Sequence, residues 1–213
     1  LALDGPEALR STVAVQLGTV IAGVATGRAL AARGVAPDAF AGLSVGAFTA
    51  SVLAGALGLE DALRVVRLRA ERMEAACPGG YGLAAIVGLG ERAARALVAA
   101  VTTPAAPVYL ANLNGATQMV IAGADEGLAR ALERAAAAGA QRAERLPVAV
   151  PSHCELLRPV AAALEEALRD VPVARPRGVY VTNLRARATT DPGAIREDLA
   201  RSVEHPVRWH DMT

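Results

Sequence analysis

Apolar positions recur at helical spacing from Pro6 to Arg33, at Leu9, Val13, Val15, Leu17, Val20, Ile21, Val24 and Leu30, and Gly34 predicts the stop. Within it, Val13 to Gly27 is apolar but short for a membrane span and carries Gln16, so it predicts a buried core helix. Asp38 to Leu43 reads as a short buried strand and Val45 to Gly58 as an Ala-rich helix. Glu60-Asp61 opens a further helix with acids in its first turn, favourable to the helix dipole, and the pattern runs through Leu63, Val66, Leu68 and Met73 to about Ala76.

After Gly80 the rhythm changes. Leu83–Leu89 predicts a strand, Glu91–Val101 a helix, and Pro107–Leu113 a strand ending at the turn signal Asn114-Gly115. Gln118–Ala122 returns, Asp125–Ala138 is helical up to Gly139, and Arg142–Val150 alternates into a last strand. Strand-helix-strand-strand-helix-strand is the order of a ferredoxin-like unit. Beyond it the pattern predicts a helix through Leu156, Leu157, Val160, Leu164 and Leu168, a strand at Val179–Asn183, and a helix over Pro192–Val203. Together these predict an α/β fold: an α/β-hydrolase-like large domain from residues 1–79 and 150–213, with a ferredoxin-like (βαββαβ) subdomain inserted at 80–149.

Composition narrows the chemistry. A chain of 213 residues with 53% hydrophobic and 20% charged residues describes a globular domain. Net charge is +1, so no nucleic-acid or membrane footprint is expected. All 22 basic residues are arginine, which excludes a P-loop lysine and a Schiff-base lysine. Cys77 and Cys154 make neither a disulfide framework nor a metal-ligand cluster, no signal peptide is evident, and a reducing, cytoplasmic setting is expected. The first residues have mid-chain character and Trp209–Thr213 opens a helix, which predicts that the natural protein extends past both ends.

Gly42-Leu43-Ser44-Val45-Gly46 has the spacing of a nucleophile elbow, a tight strand-to-helix turn that exposes a serine oxygen. The two glycines would give the turn its backbone freedom. The first helical N–H groups, that of Val45 among them, would face the same spot and stabilise an oxyanion. A serine nucleophile needs a base. His153 follows Pro151-Ser152 at the edge of a helix, where a base can be aimed; His205 precedes a proline and His210 adjoins Asp211. The acids between Ser44 and His153 that merit testing, Asp125, Glu126 and Glu133, fall on helices, so a dyad oriented by a backbone carbonyl fits better than a triad. Cys154 points away from its neighbour and reads as packing. Arg64, Arg67, Arg69 and Arg72 line one helix and read mostly as a solvated row.

Four stretches carry a resemblance: Gly42–Gly46, Val66–Met73, Leu146–His153 and His205–Trp209. In this order, with a ferredoxin-like insertion between the second and third, the chain resembles the malonyl-CoA:acyl-carrier-protein transacylase family over its whole length. Three shorter runs, Ser44–Phe48, Tyr109–Asn114 and Asn183–Ala188, resemble the malonate decarboxylase epsilon subunit within that family. The resemblance implies Ser44 as the acylated nucleophile, His153 as general base and Arg69 as the partner of the free malonyl carboxylate. It implies Val45 N–H as an oxyanion donor and the Ser202 carbonyl as the acceptor that orients His153. No cofactor is implied as resident and no metal. Malonyl-CoA would be the donor, a phosphopantetheine-type thiol on an acyl carrier protein the acceptor, with malonate decarboxylase subunits as further partners.

The chain departs from that family in three places, one of them the absence of its C-terminal Gly-Pro-Gly segment. Leu43 stands where histidine is common, which touches neither nucleophile nor base. The N-terminal Pro-Gly-Gln-Gly stretch, whose glutamine supplies a second oxyanion contact, has no counterpart here, and Gln16, on a helix, does not replace it. Loss of one such donor lowers rates on the order of a hundred- to a thousandfold. The rival expectation is a serine hydrolase, a thioesterase or patatin-like enzyme with the same elbow; the missing triad acid, the insertion and Arg69 weigh against it.

Overall fold

The structure is a computed structural model that describes residues 11–213. Two small sheets organise it. The first orders as β1–β6–β7, from Ala39–Phe40, Val179–Val181 and Ala188–Thr189. β1 and β6 run parallel and β7 antiparallel to β6. The second orders as β3–β4–β2–β5, all antiparallel, from Val108–Gly115, Gln118–Ala124, Tyr81–Val87 and Arg142–Arg145.

Helices α1 (Thr12–Ala31), α2 (Gly46–Leu53), α3 (Leu59–Ala76), α6 (Arg158–Leu168) and α7 (Pro192–Arg201) pack around the first sheet. Their core includes Phe48, Val66, Leu157, Leu164, Tyr180 and Leu199. Local chemistry fixes their starts. Ser11 caps α1 by accepting the Ala14 N–H, and Asp191 caps α7 by accepting the N–H groups of Gly193 and Ala194, with Pro192 in the first turn. α1 ends in a turn closed by Gly34 at φ +86°. The sequence placed its start at Pro6, outside the described residues.

The second sheet carries α4 (Glu91–Val101) and α5 (Asp125–Ala137) on one face, over Ile86, Leu97, Leu110, Met119, Ile121 and Leu128. Its other face carries Ala111, Val120 and Ala122, packed with Cys154. The chain end returns to this sheet: Leu113 N–H donates to the Val207 carbonyl and Val207 N–H to the Ala111 carbonyl. The α8 turn (Trp209–Met212) follows.

Five expectations change. The helix expected over Val45–Gly58 stops at Leu53, and Gly55 at φ +75° turns the chain before α3. α1 is not a buried core helix. Only Gln16, Val20 and Val24 are buried, a single stripe at four-residue spacing, while Val15, Ile21 and Leu30 are exposed. Length and composition alone would let α1 cross a membrane; here its stripe packs on α2 and α3. The strand before the elbow is two residues long and not buried, because β1 pairs with β6 on one side only. Asn114-Gly115 lies inside β3, and the hairpin turns two residues later at Ala116-Thr117; register shifts near Asn112 and Gly115 absorb the offset. β5 stops at Arg145, well short of Val150.

Candidate active site

Ser44 sits four residues beyond β1, at the carboxyl end of a parallel strand, where open α/β sheets place ligands. Its φ is +56°, in the left-handed region that a non-glycine residue enters at a cost of about 1–3 kcal/mol. The turn is tight. A Cβ on Gly42 would lie 2.0 Å from the Gly46 carbonyl oxygen, so only glycine fits at that position. Gly46 is different: its φ is not positive and a Cβ there meets nothing within 4 Å. The turn therefore requires one glycine of the motif, not two.

Val45 follows as the N-cap of α2 in right-handed conformation. Among the described residues no acceptor takes its N–H. The Ser44 N–H is held by Asn183, whose Oδ1 accepts it at 3.0 Å. Asn183 Nδ2 donates to the Gly42 carbonyl at 2.9 Å, so one side-chain amide spans the elbow.

The arginine row on α3 divides by burial. Arg64 and Arg67 are each 68% exposed and pair with Asp61 and Glu71 at 2.6 and 2.7 Å. Arg72 is exposed. Arg69 is 2% exposed. Its Nη2 donates to Ser44 Oγ at 3.0 Å and its Nη1 to Gln16 Oε1. Burial pulls its pKa down to about 10, which leaves it charged at neutral pH, and among the described residues no acidic side chain offsets the burial. Gln16 itself is held by its Nε2 donating to Met73 Sδ at 3.4 Å. The sequence set Gln16 aside as a helix residue; the helix turns it inward onto Arg69.

His153 is buried, at φ +59°, with its own N–H donated to the Val203 carbonyl at 2.8 Å. Nδ1 lies 2.7 Å from the Ser202 carbonyl oxygen. A carbonyl only accepts, so Nδ1 carries the proton and Nε2 is left as the basic nitrogen. Nε2 has no partner. Burial, and then the Arg69 charge, push the His153 pKa down to about 4, against the Ser202 and His205 backbone carbonyls that raise it. Ser44 and His153 are not hydrogen-bonded to each other; Arg69 bonds Ser44, and its charge reaches His153.

Ser44, Val45, Gln16, Arg69, Met73 and Val150 line a cavity of about 810 Å³ that also reaches Ser152. His153 lines a second cavity, of about 360 Å³, with Tyr109 and Cys154. Cys154 is no rival nucleophile, since burial pushes its thiol up to about 12. His205 is exposed near Glu204, and His210 is exposed on α8. Asp125 and Glu126 stand exposed at the start of α5 and Glu133 farther along it.

Comparison with known proteins fits this arrangement. Residues 2–213 match the acyl transferase domain. The chain belongs to the acyl transferase family of enzymes. It is 38% identical over 212 residues to the malonyl CoA-acyl carrier protein transacylase of Salmonella typhimurium and 39% identical over 215 residues to that of Escherichia coli K12; each match covers 98% of this chain and 68% of the relative. Among solved structures, an acyl-carrier-protein S-malonyltransferase from Burkholderia pseudomallei superposes with a TM-score of 0.92 at 40% identity, over 98% of this chain and 68% of that one. A malonyl-transacylase in complex with its type II polyketide-synthase acyl-carrier protein superposes with a TM-score of 0.92 at 35% identity, with the same coverage.

Proposed function

We propose that this chain transfers a malonyl group from malonyl-CoA to the thiol of an acyl carrier protein, by a ping-pong route through malonyl-Ser44. The observation that carries the reading is Arg69: a buried, charged guanidinium beside a candidate nucleophile, whose partners among the described residues are neutral. An unpaired buried charge is unfavourable, and a carboxylate offered by a substrate would satisfy it. Its planar fork can grip that carboxylate through two parallel hydrogen bonds.

The proposed steps run through these residues. His153 Nε2 takes the Ser44 Oγ proton as Oγ attacks the thioester carbonyl. Val45 N–H stabilises the oxyanion. Collapse expels the CoA thiol with the proton from His153. The carrier's phosphopantetheine-type thiol then attacks malonyl-Ser44, again with His153 as base, and Ser44 is restored. Ser202 holds the imidazole through its carbonyl. The relatives' names and the carrier-protein complex support the donor and acceptor. The three runs Ser44–Phe48, Tyr109–Asn114 and Asn183–Ala188 are the one ground for a malonate decarboxylase carrier, so the acceptor we propose is a carrier protein of the general kind. We also propose the division at 80–149, with the βαββαβ unit ferredoxin-like, its partner domain α/β-hydrolase-like and the enzyme cytoplasmic.

Substrate selectivity tests the reading. Arg69→Ala should slow acylation by malonyl-CoA roughly a hundredfold, the scale of losing a charged contact to the reacting group, and raise the acetyl-to-malonyl ratio. Arg64→Ala and Arg67→Ala should leave that ratio near its starting value. Equal slowing of both esters by Arg69→Ala would make Arg69 structural and leave malonyl resting on the relatives alone.

A further inference from the structure

We infer that Asn183 is a positioning residue that sets the nucleophile elbow, and that Asp198 fixes the orientation of its amide. This rests on Ser44 being the nucleophile. Asn183 is buried, two residues beyond β6, and reaches across to the neighbouring parallel strand's end. It accepts from the Ser44 N–H and donates to the Gly42 carbonyl, so its two bonds hold the peptide groups on either side of Leu43 that lead into the left-handed Ser44. A turn held at positive φ by a non-glycine residue persists only when its surroundings over-determine it.

The amide can be placed in one way only. Its second N–H faces Asp198 Oδ2 at 3.5 Å. Both oxygens of Asp198 already act as acceptors: Oδ2 takes the Tyr180 hydroxyl at 2.6 Å and Oδ1 the Leu184 N–H at 2.8 Å. Asp198 is fully buried, on α7. With an acceptor at Gly42 and an acceptor at Asp198, the NH₂ must face both, and the carbonyl oxygen is left for Ser44. Flipping the amide would set oxygen against oxygen at two places. The Ser44 N–H is thereby committed to the clamp, and the Val45 N–H is the elbow donor left free for an oxyanion. The clamp fixes where Ser44 Oγ and Val45 N–H point relative to Arg69 and His153 without touching the acyl group.

The test is single-turnover acylation of the full chain by malonyl-CoA, followed by intact mass, with thermal melts alongside. Asn183→Ala removes both bonds. Asn183→Asp keeps an acceptor for Ser44 N–H but sets a carboxylate against Gly42 O and Asp198. In each folded variant the saturating acylation rate should fall roughly ten- to a hundredfold, the scale of a misplaced reacting atom, while half-saturation by malonyl-CoA stays within about twofold. A folded Asn183→Ala with the wild-type rate, beside an inert Ser44→Ala, overturns the clamp alone. Undiminished labelling of Ser44→Ala overturns the nucleophile reading, and the positioning role with it. Should neither Asn183 variant melt cooperatively, amide hydrogen exchange in the wild type decides. The Ser44 N–H should exchange as slowly as core helix amides, although it lies in a turn at a cavity wall. Exchange at exposed-loop rates would overturn the proposal.

Discussion

At the scale of single residues, the site is a contest over one charge. Arg69 and His153 are both buried, and Arg69's charge is one of the two forces that depress the His153 pKa to about 4. The protonated imidazole cannot accept the Ser44 proton. The kcat/KM for acylation, which reports the free enzyme, should therefore stay flat from neutral pH downward and fall only near pH 4, well below the ordinary histidine value of about 6.5. Arg69→Ala should move that acid limb upward, because it removes the second cause. A wild-type limb at the ordinary value would contradict this. The same shift acts on stability: the unfolded chain binds the His153 proton first, so stability is lost as pH falls from about 6.5 towards 4. Ser44 stood out by its motif and His153 by its place at an element edge, whereas Arg69 was singled out from its row by the resemblance alone. Gln16 and Asn183 were not legible. They are neutral amides, and they meet the site from 53 and 139 residues away, contacts that no local pattern encodes.

At the scale of elements, the elbow shows what a motif conceals. Gly42-x-Ser44-x-Gly46 presents two equivalent glycines, yet only Gly42 faces backbone closely enough to exclude a side chain. Gly42→Ala should lower stability by about 3 kcal/mol or more through a clash with backbone. Gly46→Ala should be neutral or stabilising by up to about 1 kcal/mol, since α2 begins there and alanine reduces the freedom of the unfolded chain. Urea midpoints of the two variants check both, and a Gly46→Ala loss as large as that of Gly42→Ala would contradict the turn geometry. Most helix limits were read closely, α4 to its ends, because caps and periodicity are local, but the helix read over Val45–Gly58 stops at Leu53. Strands were read less well. The hairpin turn slid from Asn114-Gly115 to Ala116-Thr117, and β7, two residues long, gave no signal. Pairing decides a strand's limits, and the partner of a strand lies elsewhere in the sequence.

At the scale of the molecule, the two sheets divide the labour. The parallel pair β1 and β6 presents Ser44 and Asn183 from adjacent strand ends, and α3 brings Arg69 to the same place. The antiparallel sheet packs its small-residue face on Cys154, next to His153. The sequence order of strands and helices predicted that second sheet; it could not show that the sheet's inner face would pack beside His153. Acyl transfer asks such a site to form a covalent ester and then keep water from it until a thiol arrives. The most direct test is the intact mass of the full chain after mixing with malonyl-CoA and then with a carrier protein bearing its phosphopantetheine arm. The account predicts a malonyl adduct on Ser44, absent from Ser44→Ala, that survives in buffer and moves to the carrier on its addition. No adduct, or an adduct released as free malonate with none on the carrier, would contradict it.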